Sequence, residues 1–337
     1  MVRTPGPVSA VPATREQRTY TWDSLQPARR RTFYFIGVTT GSSSIRKVFP
    51  LWADRLGLGE VDLVGIDLAI HAPPEHYRTV VEFIKTDPLS LGALVTTHKL
   101  DLYEAARDLF DDVDPLANLM SEVSSLSKRD GRLSAKAKDP ISAGLAIDAF
   151  LPADHFSREP TDLIIFGAGG SAVAIDWYLS DPTRGAERPG RIMITDRSPR
   201  RLELLAAIHR AAHRDLEVEP LLADEPLTND RTLGSARAGS LVINATGLGK
   251  DGPGSPLSHD AVFPERAIAW DLNYRGDLLF LQQARAQREE RELLPVDGWI
   301  YFIHGWTQVI AEVFDVNIPA SGPVFDQLSR LAAGARR

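Results

Sequence analysis

Short apolar runs alternate with amphipathic stretches along most of this chain. Residues 32–38 (Thr-Phe-Tyr-Phe-Ile-Gly-Val) form an apolar run rich in aromatic and branched side chains, which predicts a buried strand. Residues 45–58 set Val48, Leu51, Trp52 and Leu56 on one helical stripe, with Pro50 standing against the first turns. A second strand is expected at 61–66, a second helix at 77–84, and a strand at 92–97 that runs into a helix at 99–109. Strands at 123–127 and 133–136 flank Arg129-Asp130-Gly131-Arg132, whose Asp-Gly pair signals a hairpin turn. Asp139-Pro140 opens a helix to residue 150, since aspartate suits an N-cap and proline a first turn. After the polar stretch 152–160 the pattern resumes with strands at 163–166, 191–195, 241–244 and 267–271. Helices follow at 172–179 and 202–213, and the C-terminal segment is mainly helical, at 302–314 and 324–333.

Strands that alternate with helices require a parallel sheet covered on both faces. The fold class is therefore α/β, and residues 155–297 read as a Rossmann-type doubly wound domain whose ligand crevice lies at the carboxyl ends of its strands. Residues 32–150 form a separate α/β domain, and 298–337 a closing pair of helices. Residues 1–31 are interrupted by Pro5, Gly6, Pro7 and Pro12 and read as a disordered extension. Six arginines there against Glu16 and Asp23 make the tail +4 (6 − 2), so charge-guided docking is its other reading.

Composition narrows the function. The chain has 337 residues, 43% hydrophobic and 25% charged, the balance of a soluble globular protein with room for two cores. It has no run of ~18 uncharged apolar residues and no apolar segment of a secretory signal, so a cytoplasmic protein without a membrane partner is expected. A net charge of −7 argues against a nucleic-acid partner. With no cysteine, disulfides, thiolate zinc sites and a cysteine nucleophile are excluded. No metal site is expected; the His209/His213 pair reads as a polar helix face.

Gly167-Ala168-Gly169-Gly170-Ser171-Ala172 directly follows an apolar strand and opens a helix, the context in which a glycine-rich turn binds a dinucleotide. Gly167 permits the tight turn, Gly169 bares backbone to a pyrophosphate, and Ala172 allows close helix–strand packing. The helix N-terminus offers unpaired N–H groups to the phosphates. Asp196 ends the next strand and suits a ribose hydroxyl, which favours NAD. Arg197, Ser198, Arg200 and Arg201 follow at once and suit a 2′-phosphate, which leaves NADP as the alternative.

The order of motifs resembles the shikimate/quinate dehydrogenase family over residues 33–330. The resemblance rests on a glycine strand end with a serine cluster (Gly37 to Ser44), Thr96-Thr97-His98-Lys99, and Lys138-Asp139. The cofactor glycines follow, then Asn244-Ala-Thr-Gly-Leu-Gly249, Asp271-Leu-Asn-Tyr274 and Asp297-Gly298. It implies that residues 32–150 bind the substrate and that the C-terminal helices return to that domain. It also implies that Lys99 and Asp139 are the catalytic pair. Physical chemistry agrees, because oxidising an alcohol by hydride transfer needs a partner for the hydroxyl proton near working pH. Lys99 at a helix N-terminus beside an apolar strand is placed where its charge is disfavoured. An exposed helix lysine and a plain capping aspartate are the structural alternatives.

By the same resemblance, Thr246 and Gly247 line the nicotinamide, and Gly298 lets backbone approach it. Ser42, Ser43, Ser44, Thr96, Ser124, Tyr274 and Gln308 face the substrate. The recognition positions depart from the family. Its Asn-Val-Thr is Ala93-Leu-Val95 here, its Ala-Val-Asn-Thr turn is Glu122-Val-Ser-Ser125, and its Asn-Thr-Asp is Ala137-Lys-Asp139. Losing amides changes which ring fits, because a site built for hydroxyls leaves its polar groups unpaired on other rings. The expected activity is an NAD(P)-dependent interconversion of ring hydroxyl and ketone on a shikimate-like cyclic acid or cyclitol. The other reading is an inactive dinucleotide-binding regulator, and a homodimer is left open.

Overall fold

The first strand, β1 (Thr19–Thr21), lies in the stretch expected to be disordered. Arg46, 5% exposed, donates from Nε to the Thr40 carbonyl and from its terminal nitrogens to the Arg18 carbonyl and the Thr19 hydroxyl. A buried guanidinium thus ties a polar segment to the sheet, which no apolar pattern announces. The computed structural model describes residues 18–212, 214–250 and 252–336. The first part of the arginine-rich tail, residues 1–17, lies outside the described residues, as does His213.

The N-terminal sheet adds β2 (Thr32–Gly37), β3 (Asp62–Asp67), β4 (Ser90–Val95), β5 (Asp112–Val113), β6 (Ser125–Arg129) and β7 (Arg132–Lys136), in the order β1-β3-β2-β4-β6-β7-β5. The β1-β3-β2-β4 part is parallel, and β6 runs antiparallel to both β4 and β7. Asp130 (φ 51°) and Gly131 (φ 75°) make the tight turn between β6 and β7. Two positive φ values are what a two-residue hairpin requires. Helices α1 (Ile45–Leu56), α2 (Pro74–Thr86), α3 (Lys99–Ala106) and α4 (Pro115–Met120) accompany this sheet, α1 continuing through Pro50, while α5 (Asp139–Asp148) buries Ala143, Ala146 and Ile147 in the core of the second half of the chain.

The second sheet follows the short helix α6 (His155–Arg158). It contains β8 (Asp162–Phe166), β9 (Arg191–Asp196), β10 (Val218–Leu222), β11 (Leu241–Asn244), β12 (Ile268–Asp271) and β13 (Leu294–Val296). All are parallel, in the order β10-β9-β8-β11-β12-β13. This is the doubly wound order, and winding reverses between β8 and β11, where a ligand crevice forms. Its helices are α7 (Gly170–Leu179), α8 (Pro199–Ala211), α9 (Pro226–Gly234), α10 (Leu279–Ala286) and α11 (Arg288–Arg291). In α8, His209 is not on a polar face: it is 5% exposed and bonds Asp176 and the Leu216 carbonyl.

The closing helices α12 (Trp299–Phe314) and α13 (Pro323–Ala335) share one core with Phe33, Phe49 and Trp52 of the N-terminal domain. Trp52 donates its indole N–H to the Leu328 carbonyl at 2.8 Å, so α13 is held on α1. Among the described residues no helix is long and apolar enough to cross a membrane, and no group of side chains is arranged to hold a metal ion.

Candidate active site

Between the two sheets lies a cleft of about 350 Å³. Lys99 reaches it because the chain turns sharply after β4: Thr97 takes φ 59°, rare for a β-branched residue, and α3 starts two residues later. His98 is buried behind this turn, its Nδ1 3.2 Å from the Tyr77 hydroxyl.

The Lys99 ammonium pairs with Asp139 Oδ2, with the two side chains only 12% and 7% exposed. Asp139 was expected to cap α5, yet Lys138 holds the cap position and Asp139 is the first helical residue. Its carboxylate turns inward instead. It accepts from the Tyr301 hydroxyl at 3.0 Å and the Ser171 hydroxyl at 3.4 Å, and those two hydroxyls are 3.1 Å apart. Burial, with the nearby Asp139 charge, holds the Tyr301 phenol well above its ordinary pKa, so it stays a donor. Sequence reasoning missed Tyr301. Its only trace was one hydroxyl in the apolar run 299–303.

Across the cleft stands the glycine turn. Gly167 has φ 100°, and a Cβ there would fall 2.8 Å from the Ala245 carbonyl, so glycine is required by the close approach of the segment after β11. A Cβ on Gly169 would meet nothing within 4 Å, leaving bare backbone at the mouth of α7, while Ala168 and Ala172 are buried. Gly169, Gly170, Ser171, Thr246 and Gly247 line the cleft. Gly298 does not: a Cβ there would sit 2.0 Å from the Leu272 carbonyl, so that contact, not a cofactor, demands the glycine.

Asp196 is also differently employed. Its two oxygens accept from the backbone N–H groups of Ala168 at 2.7 Å and Ser198 at 2.8 Å, pinning the glycine turn. Neither Asp196 nor Ser198 lines the cleft; Ser198 caps α8. Arg197 and Arg201 do line it, with His71 of the N-terminal domain opposite. Arg200 faces away and pairs with Glu104.

On the substrate side Ser43, Thr96, Ser124 and Tyr274 line the cleft. Ser124 accepts from the Lys138 N–H at 2.7 Å, and Lys138 itself pairs with Glu312, which also binds Lys136. Ser42 accepts from Arg275 at 3.0 Å on the rim. Burial pushes the Tyr274 hydroxyl above its ordinary pKa against the opposing pull of Ser43, Ser44 and Arg275. Gln308 is not in the lining; α12 presents Tyr301, Phe302, Gly305, Trp306 and Val309 instead. The pocket lining therefore combines polar groups with aromatic and aliphatic ones.

No family model matches the chain. The shikimate dehydrogenase (NADP(+)) of Symbiobacterium thermophilum is 28% identical to it over 240 residues, 70% of this chain and 74% of that protein. The enzyme of the same name from Streptococcus thermophilus is 28% identical over 251 residues, 74% of this chain and 82% of that protein. Among solved structures, the shikimate dehydrogenase of Aquifex aeolicus superposes with TM-score 0.65 at 17% identity, covering 91% of this chain and all of that one. That of Thermus thermophilus, in complex with NADP(H) and shikimate, gives 0.62 at 22% identity, covering 90% and 99%. Quinate dehydrogenase from Corynebacterium glutamicum, in complex with NAD, gives 0.63 at 18% identity, covering 90% and 99%. These structural likenesses speak to the fold.

Proposed function

We propose that this chain is a divergent member of the shikimate/quinate dehydrogenase family and that it interconverts a ring hydroxyl and a ketone on a shikimate-like cyclic acid, using NADP(H), a reading supported by its 28% identity to shikimate dehydrogenases (NADP(+)). The observation that carries this reading is the buried Lys99–Asp139 couple, joined through Ser171 and Tyr301 to the glycine turn it faces.

The residues fit a dinucleotide. The open backbone at Gly169 and the N-terminus of the ten-residue α7 suit a pyrophosphate. NADP is favoured over NAD because Asp196 already holds two N–H groups, while Arg197 and Arg201 face the cleft. A nicotinamide bound there would supply the hydride donor or acceptor for the ring carbon. The protein's own part is the proton. In reduction the Lys99 ammonium gives one to the carbonyl oxygen as it becomes a hydroxyl; in oxidation the lysine takes it back. Asp139 fixes the ammonium, and Tyr301 and Ser171 fix Asp139, so the donor is oriented before substrate arrives. Ser43, Thr96, Ser124 and Tyr274 supply polar contacts to the ring, and the apolar wall of Phe302, Trp306 and Val309 limits which ring face enters.

Lys99→Ala tests the reading. NADP(H) absorbance is followed over a panel of cyclic hydroxy and keto acids. Loss of general acid–base catalysis should cost about 10²–10⁴-fold in kcat, with NADP binding and fold retained. Near-wild-type turnover by the variant would remove Lys99 from the chemistry.

A further inference from the structure

Glu122 lies behind the couple and has no part in the chemistry above. It stands between α4 and β6, where the family pattern has alanine, and is 0% exposed. Among the described residues neither of its carboxyl oxygens has a hydrogen-bond partner. Its location is tight. A Cβ on Gly170 would fall 2.8 Å from Glu122 Oε2, and 3.5 and 3.6 Å from Cδ and Cβ of Lys99. The carboxyl, the lysine stem and the cofactor turn thus meet at one point, and Gly170 leaves the room for it. The backbone holds the same junction, since Val123 N–H donates to the Lys99 carbonyl at 3.2 Å.

An ionised carboxylate left dry and unbonded is costly, whereas a protonated one is not. The charged and titratable groups facing Glu122 are Lys99 on α3, Asp139 and Tyr301 on α5 and α12, and Asp114 at the head of α4. Burial first, then Asp139, hold its carboxyl well above the usual carboxylate range, with Lys99 opposing and Asp114 adding to the rise.

We propose that Glu122 is a positioning residue for Lys99: neutral while the couple works near neutrality, it ionises as pH rises, and the new anion against the lysine stem favours the proton-donating form of Lys99. The inference rests on the proton-transfer role given to Lys99 above. The ammonium is gripped directly by the Asp139 carboxylate, while a proton on Glu122 has no acceptor holding it. Ionisation of Glu122 takes the Lys99–Asp139–Glu122 group from net zero to −1, and a net negative surrounding favours the ammonium. Such an arrangement extends ketone reduction into the alkaline range and delays the onset of alcohol oxidation.

Glu122→Gln keeps the shape and removes the titration. With NADP(+) and either shikimate or quinate as the alcohol, the rising alkaline limb of kcat/KM should move to lower pH by about one unit. A merely structural role would scale the rate equally at every pH and leave the limb in place; that result, or a shift upward, overturns the proposal. A second measurement needs neither a folded variant nor activity. In unmodified protein carrying ¹³C-labelled glutamate, NMR should show one side-chain carboxyl still protonated through neutrality. If every glutamate ionises near about 4.3, the proposal is wrong. A single high-titrating carboxyl without turnover of any ring would instead count against the proton-transfer reading of Lys99 alone.

Discussion

Asp196 shows how one carboxylate can serve a different purpose from the one its position suggests. At the end of β9 it is placed for a ribose, yet its oxygens accept from Ala168 and Ser198 and hold the glycine turn in shape. Arg197 and Arg201, proposed above to meet a 2′-phosphate, follow it along the chain and line the cleft. Replacing both with alanine should lower kcat/KM for NADP by about tenfold or more, from the ~1.5–3 kcal/mol of a hydrogen bond to a charged group. Cofactor preference, measured as the NADP/NAD ratio of kcat/KM, is the readout; an unchanged ratio would mean that these arginines do not touch the 2′-phosphate. Tyr301 and Glu122 illustrate the converse. Tyr301 is one hydroxyl in an apolar run and Glu122 sits among serines, and nothing local separates a buried functional group from a solvated one.

Elements with strong periodicity were readable from the chain, and weak ones were not. The strand runs at 32–38 and 163–166 lie within two residues of β2 and β8, because every position in those strands is buried and the residues are mostly apolar. Strand β1 is three residues, Thr-Tyr-Thr, and exists because the edge of β3 and the Arg46 guanidinium receive it. Gln308 failed for a related reason: its helix was expected, but the face α12 turns to the cleft is set by packing on β4 and β6. The contact between α1 and α13 carries a prediction at this scale. Trp52 is fully buried and bridges to Leu328, so Trp52→Ala should cost about 3–5 kcal/mol, read as a lower urea midpoint. A loss under about 1 kcal/mol would show that α13 is not part of the folded core.

At the scale of the molecule, a buried carboxyl beneath the cleft links stability to pH. Asp271, at the end of β12, is 0% exposed, and burial pushes its pKa up to about 6 from 3.8 against the bonds it accepts from Asn273 and Asn244. The folded state therefore holds this proton more tightly than the unfolded one. Stability from this group is present below about pH 4 and is lost as pH rises through about 6, by up to about 3 kcal/mol. Asp271→Asn should flatten that component of the urea midpoint across the same window; an identical slope in both proteins would refute it.

Two separate α/β layers and the glycine turn were legible in the amino-acid order, because hydrophobic period and turn chemistry act between residues close in sequence. The surroundings of the cleft were not. Asp139 and Tyr301 are 162 residues apart, and Lys99 meets Asp139 across 40. Whether such groups touch is decided by how helices from both domains pack. Sequence alone thus determined which elements form and where a dinucleotide can rest. Tertiary packing decided that Asp139 would face a tyrosine instead of capping a helix, that Asp196 would hold backbone, and that Glu122 would be dry. Burial and partner distance are properties of the assembled interior, and no local pattern encodes them.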